Sequence, residues 1–151
     1  MKEQPKAKED EAATGASSPS SCFACCADNP HGLRLKFTTP KPGESAAEWV
    51  PNAFTEGFSG IVHGGIVSTV LDEAMSKAVA GAGLLALTAE LRVRLRLRVV
   101  PGVPVQVRGW IESRNRRMIK TEAVLTGLDG DELAHAWGVF LASRSGGDAE
   151  Q

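Results

Sequence analysis

Gly65-Ile66-Val67-Ser68-Thr69-Val70-Leu71-Asp72-Glu73-Ala74-Met75-Ser76-Lys77-Ala78-Val79-Ala80 carries a helical period. At about 100° per residue, Val67, Val70, Leu71, Ala74 and Ala78 fall on one seam. Ile66, Met75 and Val79 widen that seam, so most of the helix should be buried. The spacing predicts a helix over about residues 65–80, ended by Gly81 and Gly83. A helix apolar on most sides must be wrapped by another layer, and the flanking sequence supplies strands.

Downstream, Leu91, Val93, Leu95, Leu97 and Val99 alternate with Arg92, Arg94, Arg96 and Arg98. Period two means a strand with one apolar face. Pro101-Gly102 reads as a turn. Residues 103–111, 118–128 and 132–142 read as three more strands, with Gly127, Asp129 and Gly130 marking a hairpin between the last two. His135, between Leu133 and Trp137 on one strand face, reads as a packed core histidine. Upstream, residues 33–37 and 48–50 are weaker strand candidates. Short strands, one apolar helix and a long antiparallel meander define an α+β architecture, the hotdog fold, in which a curved antiparallel sheet wraps one long central helix.

Residues 1–20 mix Lys, Glu, Ala, Ser and Pro without an apolar period, and read as a disordered tail. Residues 144–151 read as a second flexible tail, leaving one domain over residues 21–143. With 17 basic and 18 acidic side chains the chain lacks the cationic excess of a general nucleic-acid binder. The most apolar stretch, residues 78–89, is too short for a bilayer and is broken by two glycines, so no membrane association is expected. No secretory leader is evident, and Cys22, Cys25 and Cys26 are unlike a disulfide framework. Both features point to the cytoplasm. Cys22 and Cys25 have the spacing of half a zinc site, but no second pair exists and Cys26 and His31 are poorly spaced to complete one. A local structural role and no metal are expected there.

The segment Gly60-Ile61-Val62-His63-Gly64-Gly65-Ile66-Val67-Ser68-Thr69-Val70-Leu71-Asp72-Glu73 resembles the signature of the PaaI-type hotdog acyl-CoA thioesterases. In that family a His-Gly-Gly turn opens the helix and an acidic residue follows nine positions after the His, as Asp72 follows His63. The resemblance extends through Thr88-Ala89-Glu90-Leu91-Arg92-Val93, and covers roughly residues 22–143. Cys22-Phe23-Ala24-Cys25 with Asn29-Pro30-His31-Gly32-Leu33 resembles a subgroup of the same family. The resemblance implies hydrolysis of an acyl-CoA thioester, with coenzyme A as part of the substrate and no separate cofactor.

The residues make chemical sense on their own. A thiol leaving group with a pKa of about 8.5 needs little acid assistance. What a thioester needs is an activated water or a nucleophile, and a donor for the developing oxyanion. A glycine-rich helix start offers bare backbone N–H groups backed by the helix dipole. Gly65 is the first choice of donor and Gly64 the second. Asp72 and Glu73 compete for the acidic role, but Glu73 forms an i, i+4 pair with Lys77, which leaves Asp72 as general base or nucleophile. His63 suits orienting the acyl carbonyl, and the resemblance implies that a hydroxyl at Thr88 helps to hold the attacking water. Some relatives carry an Asn or Gln shortly before the His-Gly-Gly; Glu56 stands nearest here, and an ionised carboxylate cannot donate to a carbonyl.

Arg114, Arg116 and Arg117 are the candidates for holding the coenzyme A phosphates, whereas the Arg92–Arg98 ladder reads mainly as a solvated face. Phe54, Phe58 and Met75 are candidate walls of an acyl pocket. A hotdog dehydratase would carry a His five residues after its Asp, where Lys77 stands. A non-catalytic acyl-CoA binding or sensing protein is the alternative, disfavoured because binding alone does not call for a carboxylate beside an anionic ligand. Gly65 and Asp72 lie roughly 10 Å apart along the helix axis. A short side chain does not close that gap, so each site should be shared between two chains of a homodimer or a dimer of dimers.

Overall fold

One long helix, α1 (Gly64–Gly81), lies across a five-stranded antiparallel sheet. The computed structural model describes residues 21–144. The expected N-terminal tail, and all but the first residue of the expected C-terminal tail, lie outside the described residues. In chain order the strands are β1 (Glu44–Trp49), β2 (Ala86–Leu95), β3 (Val105–Asn115), β4 (Met118–Gly127) and β5 (Glu132–Ala142). Their order in the sheet is β1-β3-β4-β5-β2. Curved sheet and central helix together make the hotdog fold.

Helix α1 buries the expected seam. Val67, Val70, Leu71, Ala74, Met75, Ala78 and Val79 are all buried. It packs on all five strands, most extensively on β3. Gly109 of β3 makes that approach possible, since a Cβ there would collide with the Ala74 carbonyl. Ser45 of β1 donates to the same carbonyl oxygen at 2.6 Å from within the core. Leu71 and Phe140 are among the largest fully buried side chains, and truncating either to Ala should cost about 3–5 kcal/mol. The helix ends at Ala82, and Gly83 supplies the left-handed residue (φ 76°) that turns the chain away.

Several sequence expectations are corrected. Only β3, β4 and β5 form a meander; β2 pairs with β5 and occupies the far edge. Regular pairing of β2 covers Ala86–Leu95, while the apolar alternation runs on to Val99. Arg96 and Leu97 both donate to the Leu133 carbonyl, at 2.9 and 3.0 Å, and there the strand leaves the ladder. Residues 33–37 form no strand, and β1 lies at Glu44–Trp49 rather than 48–50. The inward positions of β1 are Ser45, Ala47 and Trp49, and the first two are too small to signal a strand. His135 is no core histidine. Ala134 and Ala136 point inward, so period two sends His135 to the outer face, where its Nε2 lies 2.8 Å from Glu122 and its ring stacks on Trp137 at 4.4 Å. The hairpin at Gly127–Gly130 is as expected, with Gly127 N–H donating to Asp131 O at 2.9 Å. Among the described residues no helix is long and apolar enough to cross a membrane.

Candidate active site

His63 sets the geometry of the helix start. Its backbone (φ −57°, ψ 132°) is extended, and its carbonyl accepts from Ile66 and Val67 at 2.9 and 3.1 Å. Its Nδ1 accepts from the Gly65 N–H at 2.9 Å. An imidazole whose Nδ1 accepts carries its proton on Nε2, so the ring caps the helix and presents a donor outward. The loop behind it is tied down: His63 N–H donates to Thr55 O at 2.8 Å, and Gly57 packs so closely that a Cβ would sit 3.2 Å from the His63 Cα.

This capping separates the two glycines. The Gly65 N–H, first choice on sequence, is already engaged by the imidazole. The Gly64 N–H makes no hydrogen bond among the described residues. Gly64 also lines a cleft of about 610 Å³ with Phe58, Val67, Leu95, Leu97 and His63. A residue whose N–H makes no hydrogen bond among the described residues therefore borders a mostly apolar space. Ser68 and Thr69 are not available there, because their hydroxyls donate to the carbonyls of Gly64 and Gly65 at 2.8 and 2.9 Å.

Asp72 lies two turns further along α1. Its Oδ1 accepts from the Thr88 hydroxyl of β2 at 2.8 Å. Burial raises the Asp72 pKa above the ordinary aspartate value; the Thr88 hydrogen bond opposes this, and the nearby Glu73 charge adds to it. The carboxylate is thus less solvated than a surface aspartate, and more basic. Glu73 keeps its expected partner, 3.7 Å from Lys77 Nζ.

The remaining candidates divide. Thr88 and Arg117 line one cavity of about 430 Å³ with Leu85, Leu87 and Leu141. Arg114, Arg116 and Arg117 cluster at the β3–β4 turn, where Arg116 adopts a positive φ of 53°. Arg114 Nε donates to Arg116 O at 3.2 Å, and Arg117 Nε to Ala142 O at 2.9 Å. Glu56 accepts from the Gly60 N–H at 3.3 Å, a turn contact in its own loop. Met75 is fully buried, while Phe54 and Phe58 are 98% and 83% exposed. Sequence reasoning missed Leu95 and Leu97 as cleft walls, reading them only as the apolar face of a strand.

β2 connects the two halves of the site. Thr88, near its start, holds Asp72; Leu95, at its end, lies against Gly64, where an added Cβ would come within 2.8 Å of the Leu95 Cδ1. β2 is an edge strand with apolar side chains standing in the open: Leu87 is 79% exposed, Leu95 53%.

Comparison with known proteins agrees with this architecture. No curated protein sequence matches the chain. Among solved structures, the thioesterase superfamily protein RHA08564 superposes with a TM-score of 0.77 at 22% identity. That match covers 80% of this chain and 63% of the other, so the chain spans less than two-thirds of that protein's length. A hypothetical thioesterase from Streptococcus pneumoniae, solved with coenzyme A, matches at TM-score 0.69 and 16% identity, covering 74% and 88% of the two chains. Further structures of that protein carry an Asp-to-Ala and a Thr-to-Ala substitution, at positions sixteen residues apart. PaaI of E. coli, from the phenylacetic acid degradation operon, matches at TM-score 0.69 and 14% identity, covering 72% and 83%. Residues 59–134, half of the sequence and the part that holds the helix, β2 and both halves of the site, match the profile of the thioesterase superfamily, and the chain belongs to that family.

Proposed function

We propose that the protein hydrolyses acyl-CoA thioesters as a homodimer, with Asp72 as general base or nucleophile and the Gly64 N–H as oxyanion donor. One observation carries this reading: an unengaged helix-start N–H and a desolvated, hydroxyl-bound carboxylate stand at opposite ends of one exposed edge strand.

Gly64 and Asp72 are eight residues apart, roughly 12 Å along the helix axis. Within one chain they do not meet at a single carbonyl. Antiparallel pairing of β2 with its two-fold mate lays the Leu95 end of one strand beside the Thr88 end of the other. It also satisfies the open edge and covers the leucines that β2 exposes. Each of the two resulting sites takes Gly64 and His63 from one chain, and Asp72 and Thr88 from its partner.

In such a site the thioester oxygen accepts from the Gly64 N–H at the positive end of the helix dipole. The His63 Nε2–H helps to orient the acyl group. Asp72, its basicity raised by burial, either takes a proton from the attacking water or attacks the carbonyl itself. Thr88 fixes the carboxylate through the 2.8 Å bond. The sixteen-residue separation of Asp72 and Thr88 equals that of the Asp and Thr substituted in the Streptococcus pneumoniae thioesterase, which supports pairing them. The coenzyme A thiolate leaves without acid help. Arg114, Arg116 and Arg117 at the β3–β4 turn receive its phosphates; the cavity shared by Thr88 and Arg117 supports this placement.

The test is thiol release from short, medium, long and aromatic acyl-CoA esters. Catalytic release from at least one is expected. Saturable binding of an ester without release would overturn the hydrolase reading in favour of an acyl-CoA sensor.

A further inference from the structure

We propose that Cys22, Cys25 and Glu73 form a binding site for a zinc-class divalent cation. The site ties the segment preceding β1 to the back of α1. Sequence spacing alone argued against a metal, because only half of a zinc site was visible. The missing ligand is a carboxylate on the central helix.

The three ligand atoms lie within 4.8 Å of one another, and all three residues are half-buried. Cys22 Sγ lies 3.9 Å from Glu73 Oε1. Tetrahedral zinc, with bonds of about 2.3 Å to sulfur and 2.0–2.2 Å to oxygen, sets ligand–ligand separations of about 3.5–3.8 Å. Adjusting side-chain rotamers by about 1 Å or less closes the set. Two protein thiolates and one carboxylate leave a fourth position for water.

The backbone presents both thiols on one side. Cys26 N–H donates to Cys22 O at 3.1 Å, a single helical turn that puts Cys22 and Cys25 three positions apart on one face. The turn is anchored by Ala24, which is buried, and by Leu33 and Leu35, whose N–H groups donate to Phe23 O and Ala24 O at 2.8 and 2.9 Å. Asn29 closes the loop: its amide donates to Ser21 O and its oxygen accepts from His31 N–H, both at 3.0 Å.

Charge also balances. Two thiolates and a carboxylate carry three negative charges, which a dication and the Lys77 ammonium, 3.7 Å from Glu73, neutralise together. Sulfur ligands select a borderline-soft cation over magnesium or calcium. Each thiol loses its proton on binding, so affinity rises with pH.

The experiment uses the full chain, reduced with a phosphine, and titrates it with cobalt(II) alone. Sulfur-to-cobalt charge-transfer absorption and tetrahedral ligand-field bands are expected, saturating at one cobalt per chain and displaced by zinc. Cys22→Ser and Cys25→Ser should abolish the absorption, Cys26→Ser should retain it, and Glu73→Gln should weaken binding about tenfold or more. Circular dichroism of each variant checks that it folds. Absence of the charge-transfer band in the reduced wild-type chain overturns the proposal, whatever the variants do. So does a band that survives in the folded Cys22→Ser/Cys25→Ser double variant.

Discussion

Gly64→Pro deletes one atom group of the proposed machinery and little else. Proline at the first helical position replaces an N–H that makes no hydrogen bond within the described chain. The preceding residue must be extended, and His63 at ψ 132° already is. Among the described residues outside the adjoining chain, a Cβ at this position meets the Leu95 Cδ1 at 2.8 Å, the end of a flexible side chain. The His63 cap on the Gly65 N–H remains. Stability should change by less than about 0.5 kcal/mol, and the melting temperature by no more than about 3 °C. Loss of one oxyanion donor costs about 10²–10³ in kcat, and Gly64 is half-exposed in the single chain, so the lower end, about 2.7 kcal/mol, applies. The assay is thiol release under saturating acyl-CoA, with a thermal melt of the same preparation. A folded variant with wild-type kcat would refute the assignment and return the donor role to Gly65.

Thr88→Ala removes the hydrogen bond that holds the Asp72 pKa down, so the acid limb of kcat/KM should move to higher pH. An unmoved or lowered limb contradicts the pairing. Mixing inactive Asp72→Asn and Gly64→Pro subunits under exchange should restore about a quarter of wild-type activity, because half the dimers are mixed and half their sites intact. Demonstrated exchange without recovery would exclude a shared site. Arg114→Ala with Arg116→Ala should raise KM about threefold to tenfold at low salt and less at high salt, with kcat unchanged; a salt-independent change would point away from phosphate contacts.

What was legible in the sequence follows from side-chain size and period. α1 and β5 stand where expected because segments rich in large apolar residues mark them. β1 was misplaced because Ser45 and Ala47, facing the helix, are too small to register. The leucines of β2 have the pattern of a buried face, yet a single chain leaves them open, since pattern reveals that a face must be covered and not by which chain. His135 shows the same limit: Leu133 and Trp137 on either side suggested a core, but the inner face beside it is built from alanines. At the site, Asp72 followed from its spacing after His63 and Thr88 from the family resemblance, while the hydrogen bond that joins them is seen only in the fold. The division of labour between Gly64 and Gly65 could not, because it depends on which N–H the His63 ring engages. Nor could the approach of Cys22 to Glu73, fifty-one positions away, which only the folded segment creates.

The most direct test of the account is Asp72→Asn, measured for turnover, acyl-CoA binding and melting temperature on one preparation. Burial lifts the folded-state pKa of Asp72 above its unfolded value, so the charged form is disfavoured by folding. Aspartate therefore costs stability increasingly as pH rises through that window, and the neutral amide avoids this. The account predicts that turnover falls about 10²-fold or more, that the CoA ester still binds, and that the protein melts at an equal or higher temperature at neutral pH. Wild-type turnover in the folded variant would contradict it.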